Sequence, residues 1–136
     1  MADDVLVVIT TDLDIVRARQ SGRELASRIG FSVTDLTLIS TAISEVARNI
    51  TTYAGQGEIL FRLVDNSERR GITVEARDQG PGIADLERAL QDGYSTGKGM
   101  GLGLPGARRL MDDFEIRSEP GQGTTVVMSK WLSERG

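Results

Sequence analysis

The chain has 136 residues, the size of one domain whose core buries about two thirds of the unfolded surface. It contains no cysteine and no histidine, which excludes a disulfide framework, a thiolate or imidazole zinc site, a cysteine nucleophile and a histidine-centred triad. Its 16 basic and 20 acidic residues, net charge -4, speak against nucleic acid as a partner. No apolar run approaches the roughly 20 residues that span a bilayer, and Met1-Ala2-Asp3-Asp4 is acidic where a signal peptide is basic. The expectation is a cytoplasmic protein with no membrane contact and a single domain over 1–136.

Val5-Leu6-Val7-Val8-Ile9 is a β-rich apolar run closed by Thr10-Thr11-Asp12, a helix-capping cluster, so a strand followed by a helix is expected. Within that helix Ile15, Ala18, Gly22, Leu25, Ala26 and Ile29 recur at steps of three and four, and Gly30 is the expected stop. Arg17, Arg19 and Arg23 fall outside the stripe, as a solvated face or as a docking surface. Ser32 or Thr34 caps a second helix with Leu36, Ile39, Ile43, Val46 and Ile50 as its buried seam, ending at Gly55 or Gly57. Strand patterns over 58–64 and 71–77 flank a polar turn and form an antiparallel pair.

Beyond them come a short helical patch over 84–90 and a loop over 92–99 whose glycines and hydroxyls suit a lid. A helix over 104–111 carries Pro105 near its first turn. Strands over 114–119 and 124–131, joined by Pro120-Gly121-Gln122-Gly123, complete an order β-α-α-β-β-α-β-β. The order describes an α/β two-layer sandwich, a mixed, mostly antiparallel sheet with helices on one face.

Three blocks carry the chemistry. Glu45 and Asn49 lie one helical turn apart at the edge of the apolar seam, where a site can open. Alone, Glu45 reads equally as a surface ion pair with Arg48, and Asn49 as an ordinary exposed amide. Asp78-Gln79-Gly80-Pro81-Gly82-Ile83 follows a strand: Asp78 either forms a turn with its own backbone or accepts from an adenine amino group, with Gly80 and Gly82 letting the backbone pass the base. Gly97-Lys98-Gly99-Met100-Gly101-Leu102-Gly103-Leu104 runs into a helix start, which suits backbone N–H groups held against phosphates. The block is not a P-loop, because Gly99 stands where the Mg²⁺-binding hydroxyl belongs, nor a Rossmann turn, which follows the first strand of a βαβ unit.

In that order the blocks resemble the ATPase/kinase superfamily of gyrase, Hsp90, histidine kinases and MutL, with its adenine-binding Bergerat fold. Glu45 to Asn49 is similar to the N box, Asp78 to Gly82 to the first glycine box, Gly99 to Gly103 to the second, and Gly123-Thr124 to the last adenine-side element. Tyr53 departs from the pattern, since many members carry His or Lys there. Asp14-Ile15-Val16, Ala42-Ile43-Ser44-Glu45, Ala47-Arg48-Asn49-Ile50 and Leu104-Pro105-Gly106 resemble the stand-alone anti-sigma-factor serine/threonine kinases, in the branch that switches the bacterial stressosome.

The resemblance implies ATP and Mg²⁺ as cofactors. Glu45 would be catalytic and Asn49 the Mg²⁺ ligand. ATP would be bound by Asn49, Asp78, Gly80, Gly82, Ile83, Lys98, Gly99, Gly101, Leu102, Gly103, Leu104 and Thr124. The implied partners are STAS-domain scaffold and antagonist proteins as substrates and a PPM-type phosphatase activated by direct contact. The alternative is an ATP-gated binding module with negligible catalysis, against which Glu45 beside Asn49 is the discriminating feature.

Overall fold

The computed structural model describes residues 4–80, 103–119 and 121–132. In chain order these form β1 (Val5–Ile9), α1 (Asp12–Ser27), α2 (Val33–Tyr53), β2 (Gly57–Asp65), β3 (Arg70–Asp78), α3 (Gly103–Leu110), β4 (Asp113–Glu119) and β5 (Gly123–Trp131). The order of strands and helices is the one expected. The helical patch at 84–90 and the lid at 92–99 lie outside the described residues.

The strands build one five-stranded sheet in the order β1-β2-β3-β5-β4, and each of its four pairings is antiparallel. Because side chains alternate across a strand, the register sets which residues form cross-strand rows on the helix-covered face. One row is Val5, Phe61, Val74, Met128 and Phe114; the next is Val7, Ile59, Ala76, Val126 and Ile116. Both belong to the core or pack against it. The third row, Ile9, Gly57, Asp78, Thr124 and Ser118, turns polar, so the apolar layer ends there.

The opposite face carries ion pairs such as Arg77–Glu58 at 2.7 Å, with Leu6 and Val8 exposed on edge strand β1. At its far end the Arg69 guanidinium lies 3.8 Å from the Trp131 ring centroid, and the indole N–H donates to Asp113 Oδ2 at 2.7 Å.

Helix α1 starts at Thr11 in extended conformation, and Asp14 reaches back over it. Asp14 Oδ2 accepts from the Thr10 and Thr11 N–H groups at 2.9 and 3.1 Å and from the Thr10 hydroxyl at 3.0 Å, while Oδ1 pairs with Arg17 at 3.0 Å. These donors, the Thr10 backbone N–H foremost, hold the Asp14 carboxyl down at about 2. The helix ends at Ser27, before the expected Gly30. Arg28, Ile29 and Gly30 donate to the carbonyls of Leu25, Ala26 and Ser27, so the chain tightens into three-residue turns before Gly30 closes it at φ 100.

Ser32 caps α2, its hydroxyl accepting the Asp35 N–H at 3.1 Å. Gly55 ends it: at φ 85 its N–H and that of Ala54 both donate to the Ile50 carbonyl at 2.9 Å. The two helices pack closely because Gly22 has no side chain; a Cβ there would strike Ile43 Cδ1 and come within 2.9 Å of Phe61 Cε1. Helix α3 buries Leu104 and Ala107, and the chain continues into buried Met111. Lys130 of β5 anchors the helix's last turn by donating to the Leu110 carbonyl at 3.0 Å.

Candidate functional site

The polar end of the sheet is built around Asp78, the last residue of β3. Its Oδ1 accepts two backbone N–H groups, from Gly80 at 2.9 Å and from Thr124 at 3.2 Å. The first bond is the turn-forming contact that the sequence allowed. The second ties the carboxylate to β5 and fixes its plane, while no bond among the described residues engages Oδ2. The two roles of Asp78 are therefore compatible, one on each oxygen.

Gly80 has a packing reason to be glycine that needs no bound base: a Cβ would sit 2.6 Å from that of Ala54, so the turn lies directly on the C-cap of α2. Gly57 draws the same helix in, a Cβ there falling 2.9 Å from Ile50 Cγ2 and 3.1 Å from Asp78 Cβ. Gly123, at φ 88, lies so close to the Asp78 and Gln79 backbone that no side chain fits. These close approaches gather Asp78, Gly80, Thr124 and the end of α2 at one edge.

On α2, Glu45 and Asn49 flank the buried stretch Val46-Ala47. The Glu45 side chain is 13% exposed and pairs with Arg48 at 3.3 Å, the contact expected from their spacing. Arg48 is itself half exposed, and such a pair is worth only about 0.2–0.5 kcal/mol, so a stronger partner can displace it. Asn49 is partly buried, and its amide makes no hydrogen bond among the described residues. No group of three or more acidic residues that could hold a metal occurs among the described residues. The donor set suits Mg²⁺ held by one side-chain oxygen together with phosphate and water, the habit of that ion.

Thr124 is buried beside Asp78 and its hydroxyl lies 2.8 Å from Ser118 Oγ, a residue that sequence reasoning missed. No local spacing marked it, because its role follows from the register of the β4–β5 hairpin, which sets Ser118 opposite Thr124. Leu104 is 4% exposed and packs into the core, and Gly103 opens α3. Gly82, Ile83, Lys98, Gly99, Gly101 and Leu102 lie outside the described residues. Tyr53 is exposed at the last position of α2.

Comparison with known proteins agrees with this architecture. Residues 9–130 match the family model of the histidine kinase-like ATPase domain. The chain is 48% identical over 132 residues to the serine/threonine-protein kinase RsbT of Bacillus subtilis (strain 168), covering 97% of this chain and 99% of that one. It is 32% identical over 123 residues to the anti-sigma F factor of Caldanaerobacter subterraneus subsp. tengcongensis, covering 85% and 83% respectively. The solved mycobacterial sensor histidine kinase MprB shares the fold, with a TM-score of 0.55, 16% identity and coverage of 96% of this chain and 97% of that one. No helix among the described residues is long and apolar enough to cross a membrane.

Proposed function

We propose that this chain, which belongs to the histidine kinase-like ATPase domain family, is an ATP-dependent protein serine/threonine kinase. The observation that carries the reading is the division of Asp78: Oδ1 is held by two backbone N–H groups and Oδ2 is left to accept one more donor. An adenine 6-amino group is such a donor, whereas guanine presents a carbonyl oxygen there.

ATP bound with Mg²⁺ supplies the γ-phosphoryl group, which passes to an acceptor hydroxyl as its bond to ADP breaks. Asn49 would hold the metal through its amide oxygen. Glu45, released from Arg48, would take the acceptor hydroxyl's proton, and it need not be strongly basic because that proton moves late. The phosphates are assigned to the backbone N–H groups of Gly99, Gly101 and Gly103 and to Lys98 on the sequence pattern alone. Gly82, Ile83 and Leu102 are assigned to the nucleotide on the same basis. Leu104 supports it from the core.

The proposed protein substrates are STAS-domain scaffold and antagonist proteins, and the proposed effector is a PPM-type phosphatase activated by binding, in a cytoplasmic partner switch. A second reading, an ATP-gated binding module without transfer, is favoured by the Glu45–Arg48 pair, which leaves the carboxylate engaged.

Transfer of labelled γ-phosphate from Mg-ATP to STAS-domain proteins of the same genome separates the two. The expected result is labelling on Ser or Thr, lost by about a hundredfold or more in Glu45→Ala while ATP affinity stays within a few fold. Asp78→Asn should weaken ATP binding by at least about tenfold, because its NH₂ group replaces the acceptor. Wild-type binding without transfer would overturn the kinase in favour of the gated module.

A further inference from the structure

The polar row of the sheet ends on a residue that the kinase reading leaves unused. Ser118, on edge strand β4, lies opposite Thr124, and Thr124 lies opposite Asp78. Ser118 Oγ is 3.1 Å from the Gly123 carbonyl oxygen and 2.8 Å from Thr124 Oγ1. A carbonyl has no proton, so Ser118 must donate in the first contact. A hydroxyl has only one proton, so in the second contact Thr124 donates and Ser118 accepts.

The single proton of Thr124 is therefore spent on Ser118, and Thr124 Oγ1 has only lone pairs left to offer. Its backbone N–H is spent too, on Asp78 Oδ1. Asp78 Oδ2 likewise only accepts when the carboxylate is ionised. The hydroxyl and the carboxylate at this end of the sheet thus offer acceptors without a donor.

We propose that Ser118 is a positioning residue for base discrimination: by binding the Thr124 hydroxyl proton it keeps Thr124 an acceptor, so that the site selects a 6-amino purine over a 6-oxo purine. This rests on the ATP reading above. An amino group meets acceptors directly or through one bridging water. A 6-oxo group finds no donor on that hydroxyl or carboxylate, and a buried polar group left unpaired is what makes such a site reject an analogue. Without the Ser118 hydroxyl, Thr124 is free to turn and donate to an oxo group, and the preference collapses.

The test uses the full chain and compares ATP with inosine triphosphate, which replaces the 6-amino group by oxo without adding the 2-amino group of guanine. Ser118→Thr and Ser118→Val are near-isosteric, both suit an edge strand, and differ in the hydroxyl. Calorimetric affinities for both nucleotides are read beside the melting temperature of each variant. The expected result is that Ser118→Thr keeps the wild-type ratio within about twofold, while Ser118→Val lowers it by about tenfold, the scale of one hydrogen bond. In a Thr124→Val background the two variants should then show the same ratio, which a merely structural role for Ser118 would not produce.

Equal ratios for Ser118→Thr and Ser118→Val, with ATP still bound, would overturn this inference and leave the kinase reading standing. Wild-type protein that binds neither nucleotide would overturn both.

Discussion

Asp14 and Asp78 are both acidic residues that accept backbone N–H groups, yet their surroundings make one structural and leave the other available. Asp14 has both oxygens engaged and its carboxyl held at about 2, against an ordinary 3.8. A group that is more acidic when folded contributes stability above its unfolded value and loses it as pH falls towards its folded value. Acid unfolding should therefore steepen between about pH 4 and pH 2, and Asp14→Asn should flatten that part of a circular-dichroism pH titration. Asp78 has no such saturation. Its place at a strand end before Gly-Pro-Gly was legible in the sequence, and so was the Glu45–Arg48 pair, because both rest on local spacing. Ser118 was not. Its meaning comes from a partner across a hairpin, and a one-residue change of register would have set another residue opposite Thr124. The packing constraint on Gly80 was hidden likewise, since Ala54 is distant in sequence.

At the scale of elements, the 3.6-residue stripes identified α1 and α2 with most of their buried residues, because each helix packs one face against the sheet. What periodicity could not show is how closely the two helices approach. Gly22 permits that approach, and Gly22→Ala should force Ile43 and Phe61, both fully buried, out of place. Overpacking of this kind costs typically about 1–3 kcal/mol, more than the roughly 1 kcal/mol that alanine returns in helix propensity. Urea unfolding should show a lower midpoint with an unchanged slope. The stop of α1 was misplaced by three residues, because Ile29 continues the apolar rhythm through the tightened turn that closes at Gly30.

For the whole molecule, the site lies where the core's rows end, so a nucleotide there would brace β3, β5 and the end of α2 together. A ligand that binds only the folded chain stabilises it by mass action, by about 2.7 kcal/mol at a hundred times its dissociation constant. For a domain of this size that is a rise in melting temperature on the order of 10 °C with Mg-ATP. Chelation of the metal should shrink the rise if Asn49 holds Mg²⁺, and differential scanning calorimetry reads both effects.

The single tryptophan has an optical consequence. Trp131 pairs with Gly71, whereas the proposed nucleotide edge is marked by Thr124 pairing with Asp78. Along β3 that separation is roughly 23 Å at about 3.3 Å per residue. The indole is also pinned between Arg69 and Asp113. Its emission is thus a gauge of whether the sheet is intact at the end remote from the proposed site. The same spectrum can follow unfolding while staying silent as the proposed site fills, so occupancy has to be read with a labelled nucleotide or by heat.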